Sequence, residues 1–274
     1  MFSKGYTVVD QYKSDKPRVA NIGGIVILAG VIVSVILAQL VLGYSKELII
    51  IYSIVILFFA FGLTDDLINI NRALKIFIPF FLALPISLVA RDTAVWLGFF
   101  SINLGAFYLY IIAPVYVMVV SNLINMHSGY NGLAIGLSSI LLFFSAIKAY
   151  LVKGPESLLL AAPMLGAMIA FWYYDRYPSK IFLGNSGSLP MGAALGVFLI
   201  ANKLELFGVI ALFPHIINFL MYVVWKIKKI GEVKFGKLRS DGTLIVPNNL
   251  TLKWFFPYYF RLTEIQATSI CYLV

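Results

Sequence analysis

The sequence predicts an all-α integral membrane protein, a polytopic bundle of about eight complete transmembrane helices, and three observations carry that prediction. Of 274 residues, 61% are hydrophobic and 12% charged, whereas soluble domains carry about a quarter charged residues, and so small a polar complement cannot cover a globule of this size. Apolar runs of about 20 residues, the length that crosses a hydrocarbon core, recur along the whole chain. The cations gather in alternate connecting segments, as they do in membrane proteins of fixed orientation.

Apolar continuity places the spans near 21–43, 47–63, 74–90, 105–126, 131–150, 157–174, 187–203 and 206–229. The last contains Pro214 and is expected to kink there, with His215 and Asn218 as satisfied polar residues. A ninth apolar stretch begins near Leu262 and is too short to cross. Residues 1–20 are polar throughout and read as a loop, with no cleavable signal peptide. The expected organisation is one membrane-embedded domain over 1–274, with 230–262 as a long loop.

Eight spans put both ends on one side. The segments 1–20, 64–73, 127–130, 175–186 and 230–262, with adjoining helix ends, hold 16 of the 21 Lys and Arg residues, and the opposite set holds 5. The positive-inside rule makes the first set cytoplasmic. The net charge of +9 is thereby a topological signal, and nucleic acid is not expected as a partner. Cys271 is the single cysteine, which excludes an internal disulfide and a cysteine-based metal site, and two histidines exclude a His-rich one.

The chemistry-bearing residues fall on the cytoplasmic face. Asp65 and Asp66 end the second span, followed by Asn69, and Lys75 opens the third. Asn122 and Asn125 share one face of the fourth span's end and run into His127-Ser128-Gly129-Tyr130-Asn131-Gly132. Phe182-Leu183-Gly184-Asn185-Ser186-Gly187-Ser188 joins the sixth and seventh spans. Each has a plain reading: a solvated helix boundary for the acids, helix-packing amides for the asparagines, tight turns for the Gly/Asn/Ser stretches and a snorkelling cation for Lys75. Two anions at a helix C-terminus nevertheless oppose the dipole and call for a cation. Hard oxygen ligands, backbone anion nests and a fixed lysine are together what phosphoryl transfer uses.

The three motifs, in this order and spacing, resemble those of the polyprenyl-phosphate N-acetylhexosamine-1-phosphate transferases, closest to the archaeal and eukaryotic dolichyl-phosphate GlcNAc-1-phosphate branch. The resemblance runs from about residue 5 to residue 262. It implies a ten-helix fold of which this chain lacks the first helix and most of the last. It also implies transfer of GlcNAc 1-phosphate from a UDP-sugar to a polyprenyl or dolichyl phosphate with Mg²⁺ or Mn²⁺. By the same resemblance Asp65, Asp66 and Lys75 are catalytic and Asn125 and Asn185 are metal ligands. Asn21, Asn69, Gly129, Asn131, Phe182, Lys234 and Lys237 bind substrate. A homodimer is an expected assembly. The expected location is an archaeal plasma membrane with the site cytoplasmic, or the endoplasmic reticulum of a eukaryote. Three departures stand out: Asn185 where relatives usually carry a metal-binding Asp, Asn21 near a position that is often Glu, and a ninth loop without the family's Arg/His cluster. The alternatives are an ion-coupled transporter, with the paired acids as ion ligands, and a catalytically altered homologue.

Overall fold

The computed structural model describes residues 6–68, 70–71, 73–96, 98–229, 231 and 233–274. The helices in chain order are α1 (Gly23–Leu42), α2 (Lys46–Ile68), α3 (Leu74–Leu88), α4 (Gly105–Met126), α5 (Leu133–Lys153), α6 (Pro155–Asp175) and α7 (Asn185–Ala201), then α8 (Glu205–Ala211), α9 (Phe213–Ile227), α10 (Leu252–Tyr259) and α11 (Glu264–Leu273). Among the described residues five helices are long and apolar enough to cross a membrane, namely α1, α2, α4, α5 and α6, and α8 with α9 make a sixth if taken as one bent span. The two remaining predicted spans, α3 and α7, are shorter apolar helices. The expected kink lies at Leu212: α8 and α9 are bent by 61°, and Pro214 sits in the first turn of α9, where its missing N–H costs no helical hydrogen bond.

Helix α7 forms the centre of the bundle. Every residue from Ser186 to Ile200 is buried, and it packs against α2 on one side and α4 on the other. An added Cβ on Gly192 would lie 2.6 Å from the Ser121 Cα, so the α4 and α7 backbones nearly touch, as small residues permit in membrane helix pairs. At the opposite extreme α1 is exposed along most of its length through residues such as Val33, Leu40 and Val41, a surface suited to lipid tails.

Among the described residues three two-stranded antiparallel hairpins decorate the helices: β1–β2 (Thr7–Val9, Arg18–Ala20), β3–β4 (Ala94–Trp96, Ser101–Asn103) and β5–β6 (Lys237–Leu238, Leu244–Ile245). The first corrects the reading of residues 1–20 as a featureless loop. Its register pairs Val8 with Val19. Its exit strand continues into the loop before α7 through an Ala20–Ile181 bridge, the Phe182 N–H donating to Ala20 O and the Gly23 N–H donating to Phe182 O. The N-terminal segment is thereby sewn to the third motif.

Candidate active site

Where the C-terminus of α2 meets the N-terminus of α7, the two helix ends complement each other. Asp66 accepts the N–H of Asn185 on one oxygen at 2.9 Å and the N–H of Ser186 on the other at 2.8 Å, capping two of the donors that every helix start leaves unpaired. Asp65, buried, accepts the Ile70 N–H at 2.9 Å on Oδ1 and the Asn185 Nδ2 amide at 2.8 Å on Oδ2. The same Oδ2 pairs with Lys75 Nζ at 2.8 Å. The approach needs two glycines. A Cβ on Gly62 would stand 2.3 Å from Asn185 O, and one on Gly24 would stand 2.2 Å from the Ser186 carbonyl carbon. No side chain fits there without moving backbone.

Above this junction lies a cavity of about 430 Å³. Of the residues expected at the site, Asn21, Asp65, Asp66, Asn125, Gly129, Asn131, Phe182, Asn185 and Lys234 line it. Lys75 reaches the site through Asp65 and is not a lining residue. Lys237 is not brought in: it lies exposed on β5, paired in register with Ile245, while Lys234 and Phe235 turn toward the cavity. Asn69 lies outside the described residues. The second-motif amide Asn125 accepts the Ser188 hydroxyl on Oδ1 at 2.6 Å, which ties α4 to the first turn of α7.

Several lining or supporting groups were not named as site residues from the sequence. Val8–Tyr12 of the N-terminal hairpin form one wall. Lys253 of α10 lies half-buried behind the second motif and donates to Ser128 O at 2.6 Å, occupying the space a side chain at Gly129 would need, since a Cβ there would stand 2.3 Å from Nζ. Burial pushes the Lys253 ammonium down to about 8. His127 packs edge-on against His215 with ring centroids 4.7 Å apart, and burial holds its imidazole well below the usual histidine range. Lys13 lies in a cluster with Asp10, Asn131 and Glu264. A three-residue strand has no periodicity to read, and a contact between Lys13 and Glu264 has no local signature.

Among the described residues no three His, Cys, Asp or Glu side chains converge into a cage. The site instead offers two carboxylates and the amide oxygens of Asn125 and Asn185 beside an open cavity. That donor set suits a hard divalent ion such as Mg²⁺, which is commonly held by one or two carboxylates with substrate phosphates and water completing its shell. Because the Asn185 Nδ2 faces a carboxylate, its Oδ1 is the end left over for a cation.

Residues 48–203, which contain all three motifs, match the model of glycosyl transferase family 4. A Saccharolobus solfataricus protein named as a UDP-N-acetylglucosamine–dolichyl-phosphate N-acetylglucosaminephosphotransferase is 32% identical over 254 residues, covering 88% of this chain and 77% of the relative. A Sulfolobus acidocaldarius protein named likewise is 29% identical over 280 residues, covering 90% and 78%. A Clostridium beijerinckii phospho-N-acetylmuramoyl-pentapeptide-transferase is 34% identical over 125 residues, covering 46% of this chain and 38% of that protein.

Proposed function

The chain belongs to glycosyl transferase family 4, and from that membership and the cavity it encloses we propose that it transfers GlcNAc 1-phosphate from a UDP-sugar to a polyprenyl or dolichyl phosphate, releasing UMP. The observation that carries the proposal is the convergence of three motifs, distant in sequence, on one polar cavity at a helix–helix junction. The names of the relatives supply the substrate classes. The concentration of 16 of 21 Lys and Arg on the segments that form this face supports a cytoplasmic site.

In the proposed reaction an oxygen of the lipid phosphate attacks the phosphorus that bears the sugar. The bond from that phosphorus to the bridging oxygen breaks, and UMP leaves with the electron pair. A phosphate monoester is already largely dianionic near neutral pH, with a second pKa of about 6, so the attacking oxygen needs positioning more than deprotonation. Asp66 fixes the start of α7 and hence Asn185 and Ser188. Asp65 spends its charge on Lys75 and on the Asn185 amide. Lys234, at the mouth, supplies positive charge for the diphosphate. Asn125 and Asn185 would hold Mg²⁺, which would neutralise charge on the diphosphate when bound.

The test is UMP release by membranes carrying the chain, given UDP-GlcNAc and a polyprenyl phosphate, with Mg²⁺ and with chelator. Metal-dependent release that disappears in Asp66→Ala is expected. Absence of release from a chain that binds neither UDP-GlcNAc nor UMP would reject the transferase reading.

A further inference from the structure

Between α5, α6 and α11 lies a second, apolar crevice of about 240 Å³, lined by Gly136, Ser139, Ile140, Ile169, Trp172 and Tyr272. Gly136 opens it: a Cβ there would stand 2.3 Å from the Tyr272 hydroxyl oxygen, so the tyrosine crosses α5 only because no side chain is in the way. The Tyr272 hydroxyl donates to Gly132 O at 2.6 Å and accepts the Trp172 indole N–H at 3.3 Å. The polar atoms of both aromatic residues are thereby paired, and ring surface is what they offer to the crevice. Beyond the end of α6 stand Arg176 and Lys180, both exposed. They share an aromatic platform. Arg176 Cζ lies 4.7 Å from the Tyr173 ring centroid and 5.6 Å from that of Trp172, and Lys180 Nζ lies 5.2 Å from that of Tyr173. Among the described residues neither cation has a carboxylate partner. Trp172 belongs to both features, lining the crevice and lying beneath the guanidinium.

We propose that the crevice and the two cations form one binding site for an anionic phospholipid of the surrounding leaflet, with an acyl chain in the crevice and the headgroup phosphate held by Arg176 and Lys180. Charge and polarity match along its length. Aromatic rings mark the level of the headgroups, cations beside them favour anionic lipids, and the apolar slot continues toward the hydrocarbon. The occupant is not the acceptor of the transfer reaction, because Arg176 and Lys180 do not line the catalytic cavity and a phosphate between them is not in place to attack. A second copy of the chain fits less well, since an isologous contact would set the same two cations against each other. Through Tyr272 the site also touches the catalytic loop. Gly132, with φ of +76°, carries the second motif into α5 and is held by the tyrosine that floors the crevice, so a bound lipid braces that turn from outside.

Trp172 is the reporter. Of the four tryptophans, Trp225 and Trp254 are buried and Trp96 lies on the β3–β4 hairpin. The purified full chain is placed in nanodiscs of phosphatidylcholine containing a small fixed fraction of lipid brominated on its acyl chains, either phosphatidylglycerol or phosphatidylcholine. Tryptophan fluorescence should be quenched at least about twofold more by the anionic label. The difference should disappear in Trp172→Phe, which removes the reporter, and in the Arg176→Gln/Lys180→Gln double variant, which removes the phosphate contacts. Equal quenching by the two labels, or a preference that survives either variant, would overturn the proposal. Recovery of fluorescence by polyprenyl phosphate in preference to unlabelled phosphatidylglycerol would give the crevice to the acceptor lipid and overturn it as well. Equal quenching together with cross-linking of Ile169→Cys between two copies would give this face to a second copy. The comparison of the two labels in the native chain decides the matter even if a variant fails to fold. None of these readings needs turnover, so the site stands or falls separately from the transferase reading.

Discussion

Asn185→Asp introduces the carboxylate that the family resemblance leads one to expect at this position, and its consequences can be worked from the contacts. In the native chain Asn185 Nδ2 donates to Asp65 Oδ2 at 2.8 Å. The substitution replaces that donor with a second anion against a buried one. Two unit charges relaxed to ~4 Å repel by about 4 kcal/mol at an effective dielectric near 20. Lys75, on the same Asp65 oxygen at 2.8 Å, offsets part of this. So does the N-terminal dipole of α7, worth about 0.3–1 kcal/mol to an anion in its first turn. A net loss of roughly 2–3 kcal/mol remains in chelator, which for a chain of this size is a melting shift of about 5–10 °C. Bound Mg²⁺ removes the repulsion and gains a charged ligand. The variant should therefore be rescued thermally by Mg²⁺ and should reach half-maximal UMP release at about tenfold lower Mg²⁺ than the native chain. Melting curves in chelator and across a Mg²⁺ titration, read beside the UMP assay, provide the comparison. If the variant melts like the native chain in chelator and shows the same Mg²⁺ dependence, Asn185 is not at the metal, and the reasoning from its amide orientation is wrong.

Lys75→Met should destabilise by ~3 kcal/mol, because Asp65 has no exposed side-chain surface and would lose the cation paired with it. Most of that should return in the double variant with Asp65→Asn, and a double-mutant cycle of thermal melting measures the coupling. Gly62→Ala should cost activity by more than tenfold as well as stability, because its methyl would press on Asn185 O and displace the start of α7. A variant with full UMP release would show that the junction yields without consequence. Lys253 should make stability rise with pH. Its folded pKa of about 8 lies below the ordinary 10.5, so between these values the unfolded chain binds more protons. The penalty is full below pH 8, at about 3 kcal/mol, and is gone above 10.5. Melting temperature across that window should climb in the native chain and stay flat in Lys253→Met, once other titrations common to both are subtracted.

Much of the architecture was readable from apolar continuity. The long spans lie within a few residues of their predicted limits, because a run of some 20 apolar residues leaves the backbone no partner but itself in lipid. The ends were less legible where tertiary contacts set them. α7 starts at Asn185, two residues before the predicted 187, because Asp66 from another helix caps the polar first turn. The site followed the same division. Asp65, Asp66, Asn125 and Asn185 could be named from motifs and do meet. Lys237 was expected beside Lys234 because the family resemblance places basic substrate-binding residues in this loop, but it lies exposed on β5, opposite Ile245 in the β5–β6 register. Lys13 entered only among the cations of the 1–20 segment, and Glu264 carried no reading of its own. Their contact spans nearly the whole chain, and nothing local to either residue announces it.

The same junction bears on what the metal does. Adjacent carboxylates at a helix C-terminus call for positive charge, and on sequence alone a divalent ion was a natural supplier. The fold supplies it from protein instead. Lys75 and the Ile70 N–H take Asp65, and the two leading N–H groups of α7 take Asp66. With both acids satisfied internally, metal binding would not be a condition of folding, and a cation would be called for only when a diphosphate brings more negative charge into the cavity. Chelator should then leave the melting temperature of the native chain within about 2 °C while abolishing UMP release, and Mg²⁺ should bind measurably more tightly in the presence of UDP-GlcNAc than without it. A native chain that loses several degrees in chelator alone would mean that the ion is part of the resting structure, and that the pairing of the two helix ends does not suffice to hold Asp65 and Asp66.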